Sequence, residues 1–177
     1  MSGDRGPTIQ LCLLRHADAG DPEAWSGDDA ERPLSPKGEA QAERLATFLH
    51  GVRFGVDVVI ASPLVRARRT AEIVADGLGS SVRVDERLGG PFELATIDEI
   101  LADAGGPERV VLCGHDPDLS ETLSTLTGSS GLTMKKGAFA RVDVRGRVAD
   151  GRGTLRWLVP PDLLDRDRHH KGGQAGS

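Results

Sequence analysis

The chain has no tyrosine, and its four phenylalanines and two tryptophans make up only 3% of 177 residues. Its core must therefore be aliphatic, and a surface of stacking aromatics for single-stranded nucleic acid is excluded. Cysteine is almost as scarce. Cys12 and Cys113 are too few for a disulfide framework or a zinc site and lack ligand spacing. Each lies in an apolar run, which reads as a buried free thiol in a reducing cytoplasm. No stretch reaches the roughly 18 apolar residues of a membrane span, and Met1–Pro7 is polar with no secretory h-region behind it. An excess of positive charge is also missing. Lys and Arg number 22 against 27 Asp and Glu, a net charge of −5, so coating of nucleic acid or of an anionic membrane is not expected.

What the chain does have is a globular balance, 38% apolar and 28% charged, at a length suited to one domain. The reading places a single domain over residues 8–164, with loose ends at 1–7 and 165–177, where polar residues, Gly and charge accumulate. His169 and His170 fall in that tail with no third ligand nearby, so no metal site is expected there. Three short, nearly continuous apolar runs, Ile9–Leu14, Asp57–Ala61 and Arg109–Cys113, have the pattern of parallel strands buried on both faces. Each is followed by a helix signal: Ser35-Pro36, Ser62-Pro63 and Asp116-Pro117 offer an N-cap and a first-turn proline ahead of amphipathic segments. Val82–Val84 is a weaker strand. Ala138–Val144 and Thr154–Val159, joined through the Gly-rich stretch Gly146–Gly153, read as an antiparallel pair at a sheet edge. The fold class implied is α/β, a three-layer α/β/α sandwich with a mostly parallel central sheet and an antiparallel edge.

Ligands of open α/β sheets bind beyond the carboxyl ends of the strands. The first run ends in Arg15-His16, the second in Ser62 with Arg66 soon after, the third in Gly114-His115-Asp116. If the three strands are neighbours, two histidines and two arginines meet at one edge beside helix N-termini, whose free N–H groups favour anions. Guanidinium forks and backbone donors together make an inventory suited to a phosphoryl group. Singly, His115 reads as a satisfied strand-end residue and Arg66 as a solvated helix residue; their convergence is what points to a site.

The same residues carry a family resemblance. Leu13-Leu14-Arg15-His16-Ala17 resembles the R-H-G signature of the histidine phosphatase superfamily, with Ala17 in place of glycine. Arg32-Pro33-Leu34-Ser35-Pro36-Lys37-Gly38 is similar to its R-P-L-[ST]-x-x-G segment. Ser62-Pro63-Leu64-Val65-Arg66-Ala67-Arg68-Arg69-Thr70-Ala71 is similar to S-P-x-x-R-A-x-x-T-A, and Gly114-His115 to the second catalytic histidine. The short chain and its ending, Leu155–Pro161, resemble the SixA-type phosphohistidine phosphatases, the phosphoglycerate mutases of the superfamily being longer. The departure at Ala17 is tolerable unless the backbone there needs a positive φ.

The resemblance implies that His16 is the nucleophile and forms a covalent phosphohistidine. It implies that Arg15, Arg66 and His115 bind the phosphoryl oxygens, with Arg32 as a further phosphate-side arginine; alternatively Arg32 pairs at the rim with Glu31 or Asp28. Neither metal nor cofactor is required. The general acid is open. Glu86, in Asp85-Glu86-Arg87-Leu88-Gly89-Gly90, resembles the acid of the mutase branch and Asp116 that of the acid-phosphatase branch. Asp116 also reads as an N-cap, and Asp18 as a loop carboxylate. A phosphohistidine substrate eases the demand for an acid, because imidazole protonated on its distal nitrogen leaves neutral. The expectation is a cytoplasmic, metal-independent phosphatase of protein phosphohistidine. The alternatives are a small-molecule phosphomonoesterase acting on a sugar phosphate or nucleotide, and an inactive phosphate-binding module. The partner is a phosphorylated protein or small phosphate, not nucleic acid or membrane. Lys135 and Lys136 read as a solvated turn or as a basic rim that receives a phosphoprotein, and the sequence carries no oligomer signal.

Overall fold

The structure, a computed structural model, describes residues 6–165; the remaining terminal residues, with His169 and His170, lie outside them. Six strands form one sheet: β1 (Thr8–Arg15), β2 (Val58–Ala61), β3 (Val82–Val84), β4 (Arg109–Gly114), β5 (Phe139–Arg145) and β6 (Gly153–Val159). Their order is β3-β2-β4-β1-β5-β6. The first four are parallel, and β5 and β6 add antiparallel to β1 and to each other. Four helices cover the sheet: α1 (Pro36–Gly51), α2 (Val65–Leu78), α3 (Leu94–Asp103) and α4 (Asp118–Thr127). The sheet is thus mostly parallel with an antiparallel edge, as the strand patterns imply.

Because side chains alternate across a strand, β1 feeds two cores. Leu11 and Leu13 pack with Ile97, Ile100 and Leu101 of α3 and Leu119, Leu123 and Leu126 of α4. Cys12 and Leu14 pack with Leu45 and Leu49 of α1 and Ala67, Ala71 and Val74 of α2. Burial on both faces is why β1 and β4 read as unbroken apolar runs. Both cysteines are free and buried. Burial pushes the Cys12 thiol up to about 12 and raises Cys113 likewise, so both behave as small apolar residues.

Local chemistry sets the helix starts. Ser35 caps α1, its Oγ accepting the Gly38 N–H at 3.1 Å, with Pro36 in the first turn. Two expected caps act differently. α2 begins at Val65 with Leu64 as its cap residue, because the Ser62 hydroxyl closes a local turn on the Leu64 N–H at 3.2 Å. α4 begins at Asp118 with Pro117 as cap residue; the Asp116 carboxylate reaches in from one residue farther out to accept the Ser120 N–H at 3.1 Å. Helix α3 escapes the sequence reading. Its capping box has Glu93 at the N-cap and Thr96 at N3, the reverse of the usual Ser/Thr-then-Glu order. Ahead of β1, the Pro7 carbonyl accepts the Gly146 N–H at 3.1 Å.

Candidate active site

The register of the sheet assembles the site. Arg15 of β1 stands opposite Gly114 of β4, and Ala61 of β2 opposite Cys113. The residues that follow these strand ends, His16, Ser62 and His115, therefore lie side by side at the carboxyl edge. His16 N donates to the Gly114 carbonyl at 3.0 Å and Ser62 N to the Cys113 carbonyl at 2.9 Å, which locks both chain exits. From the other side, Gly137 N donates to the carbonyls of Arg15 and His16. Ala17 N donates to Thr70 Oγ1, which in turn donates to the Arg66 carbonyl. That chain ties the loop after β1 to the first turn of α2. Ala17 is fully buried and does not occupy the positive-φ region, so alanine fits where the superfamily signature has glycine.

His16 is 6% exposed. Its Nδ1 lies 2.8 Å from the Ala17 carbonyl. A carbonyl only accepts, so Nδ1 carries the proton and Nε2 keeps its lone pair. Burial, opposed in part by the Ala17 bond and reinforced by His115, Arg66 and Arg15, lowers the His16 pKa to about 3. The ring is neutral over the whole physiological range. The His115 ring centroid is 5.2 Å away. Burial and the charges of Arg66 and Arg15 lower its pKa to about 4, against the opposing charge of Asp29. Its Nε2 meets Ser62 Oγ at 2.7 Å.

The two arginines are held at their far ends. Arg15 Nη1 donates to the Met134 carbonyl at 2.7 Å and to Asp116 Oδ2 at 3.2 Å. Arg66, 7% exposed, donates through Nη1 to the Asp29 carbonyl at 2.7 Å and through Nη2 to Asp29 Oδ2 at 3.0 Å. Within the site, three buried nitrogens have no hydrogen-bond partner: Arg15 Nε, Arg66 Nε and His115 Nδ1. Unpartnered buried donors are rare in folded proteins and call for an explanation, and an oxyanion shared among them supplies one.

The other expected residues divide. Arg32 is not at the rim and pairs with neither Glu31 nor Asp28. It is 7% exposed, because Nε reaches Asp29 Oδ1 at 2.8 Å and Nη1 reaches the Ala19 carbonyl at 2.7 Å. It braces the loop and links to Arg66 through Asp29. Asp116 is brought into the site as the partner of Arg15, and Ser120 Oγ donates to its Oδ2 at 2.8 Å. Glu86 sits exposed on a short turn and makes no hydrogen bond or ion pair with the four central residues. Asp18 is a loop carboxylate: the Ser35 hydroxyl donates to it at 2.6 Å and holds it below the ordinary carboxylate range. Lys135 pairs with Asp162 at 3.4 Å, while the charge of Lys136 is felt at Asp18. Sequence reasoning gave no role to Asp29, whose signal was its i, i+3 spacing to Arg32, and gave the Ser62 hydroxyl a helix cap but no place in the site. Among the described residues, no three His, Cys, Asp or Glu side chains cluster as a metal cage requires. No helix among them is long and apolar enough to cross a membrane.

Paired histidines and two forked cations thus stand together at the carboxyl edge of a mostly parallel α/β sheet. The family profile of the histidine phosphatase superfamily (branch 1) matches residues 11–90, and the chain belongs to that superfamily. An uncharacterized protein of Picosynechococcus sp. is 34% identical over 134 residues, covering 72% of this chain and 81% of the relative. "Probable phosphoglycerate mutase GpmB" of Escherichia fergusonii is 31% identical over 60% of this chain; the match spans about half, 51%, of that relative's length. Among solved structures, the protein histidine phosphatase SixA complexed with tungstate superposes with a TM-score of 0.75 at 27% identity, over 89% of this chain and 100% of that one. The Agrobacterium tumefaciens protein assigned as phosphohistidine phosphatase SixA gives 0.72 at 25% identity, over 88% and 99%.

Proposed function

We propose that this protein is a metal-independent phosphatase that works through a phosphorylated His16 and acts on phosphohistidine in proteins. The observation that carries the reading is the set of three unpartnered buried nitrogens, Arg15 Nε, Arg66 Nε and His115 Nδ1, in a site where the His16 Nε2 lone pair is left free by the Ala17 bond. Three phosphoryl oxygens and one phosphorus match that set. In the first step His16 Nε2 bonds to phosphorus and the bond to the leaving group breaks. The arginines stabilise the equatorial oxygens as charge redistributes. In the second step water attacks phosphorus, the N–P bond breaks, a proton passes to solvent, and His16 returns as the Nδ1–H imidazole.

The substrate class follows from the acid. Asp116 is tied to Arg15 and to Ser120, and Glu86 lies outside the hydrogen-bonded set, so neither is free to protonate an alkoxide. An imidazole leaving group protonated on its distal nitrogen needs no such help. The match to a protein histidine phosphatase supports the same choice. The free, buried cysteines accord with a reducing, cytoplasmic setting.

The test is turnover of a phosphorylated histidine-containing protein domain against a panel of sugar phosphates, nucleotides and aryl phosphates. The domain should be dephosphorylated far faster per enzyme, and acid-labile phosphate should appear on His16 during turnover. Fast hydrolysis of the esters with the phosphodomain left intact would overturn the substrate class. A His16→Ala variant that still turns over would overturn the mechanism.

A further inference from the structure

The Ser62 hydroxyl is fully buried and lies 2.7 Å from His115 Nε2. It already accepts the Leu64 N–H at 3.2 Å, within a turn whose exit is pinned by the bond from Ser62 N to Cys113. A hydroxyl has one proton to give. Two proton arrangements are possible between these residues. In one, Nε2–H donates to Ser62 Oγ. The oxygen then receives two donors, its own proton has no acceptor among the contacts of the fully buried Ser62, and His115 presents a bare Nδ1 lone pair to the site. In the other, Ser62 Oγ–H donates to Nε2, and the ring proton sits on Nδ1. The Ser62 hydroxyl then both donates and accepts, and the one unpartnered His115 nitrogen is a donor.

We infer that Ser62 is a positioning residue that fixes His115 as the Nδ1–H tautomer, making the second histidine a neutral hydrogen-bond donor to the phosphoryl group. The inference deepens the phosphoryl-transfer reading and rests on it for its catalytic consequence. A phosphoryl oxygen is acceptor-only, so a lone pair on Nδ1 would repel it, whereas N–H completes a donor set with Arg15 Nε and Arg66 Nε. The surroundings agree: burial first, and then the two guanidinium groups beside the ring, lower its pKa to about 4, so a second proton is not available at neutral pH. The neutral tautomer also excludes His115 as the acid for the leaving group, since an imidazole N–H gives up its proton only at far higher pH.

The tautomer is read directly, without turnover, from long-range 1H–15N correlations of the unliganded full-length protein labelled with 15N-histidine, with His115 assigned by its disappearance in His115→Gln. At pH 7 the expected pattern is a protonated Nδ1 and a bare Nε2; the opposite pattern overturns the inference. In Ser62→Ala the His115 signal should move to the Nε2–H form or a mixture. The loss should fall chiefly in kcat, by about 10–100-fold, the range that holds for partners orienting metal-ligating histidines. Ser62→Thr should restore both. An unchanged tautomer and kcat in Ser62→Ala would refute the role, and if that variant does not fold the wild-type spectrum decides. Failure of the wild type to turn over any phosphoryl compound would sink the proposed function and leave the tautomer result standing.

Discussion

Both histidines of the site are folded into it as neutral rings, and that choice should be visible in stability between pH 7 and pH 5. An unfolded histidine titrates near pH 6.5, whereas His16 and His115 have pKa values of about 3 and about 4. Between those limits the unfolded chain binds protons that the folded one refuses, so folding stability falls as pH falls. At pH 5 the unfolded value is one and a half pH steps away, at about 1.4 kcal/mol per step. The loss is about 2 kcal/mol for buried His16 and at most as much for the less buried His115. The carboxylates held low by their partners, Asp18, Asp29, Asp57 and Asp85, lose their contribution only as pH falls through and below the ordinary carboxylate range, so the window is clear of them. Urea denaturation at pH 7.5 and pH 5.0 should show a drop of about 3–4 kcal/mol in the wild type. It should be much smaller in His16→Gln/His115→Gln. An equal drop in the double variant would refute the claim that burial and the paired arginines hold these rings neutral.

Asp116→Asn, which removes the ion pair to Arg15, should lower kcat/KM about tenfold, the worth of one charge-assisted hydrogen bond. The loss should be similar for good and poor leaving groups; a loss confined to esters with poor leaving groups would instead make Asp116 the acid. Gly38→Ala would drive a Cβ into the Asp18 carbonyl oxygen. Overpacking of that kind should cost about 1–3 kcal/mol and lower Tm by about 3–10 °C in a thermal melt. Gly51→Ala, which meets open space, should leave Tm unchanged.

Much of this site is legible from the sequence because it is built at strand exits. β1 and β4 are buried on both faces, so their apolar runs are continuous, and whatever follows them lands at one edge. That puts Arg15, His16 and His115, and Ser62 after β2, at strand exits; the strand order β2-β4-β1 then makes them neighbours. The sheet edge is legible for a similar reason, since β5 and β6 flank a Gly-rich turn. The unread parts depend on contacts that sequence spacing does not encode. Asp29 bridges Arg32, three residues away, and Arg66, 37 residues away, and only the second contact makes it part of the site. The Ser62–His115 bond spans 53 residues and competes with the helix-cap role that Ser-Pro suggests locally. Arg32 looks like a rim residue beside acidic neighbours, yet loop carbonyls draw it inward. Helix α3 shows an apolar face at Ile97, Ile100 and Leu101, but its reversed capping box hides the start.

The central place of β1 has a consequence for how the protein comes into being. Its neighbours on both sides arrive late in the chain: Arg15 meets Asp116 across 101 residues and Met134 across 119. Closing such long loops is entropically expensive and slows folding. A ribosome that has released the chain only as far as β3 has exposed His16, but neither of the strands that pin it. The loop carrying His16 takes its final shape only after Gly137 has reached the carbonyls of Arg15 and His16. The site is thereby left unassembled until β5 has been made, and a chain cut short before β5 leaves β1 as a raw apolar edge open to aggregation.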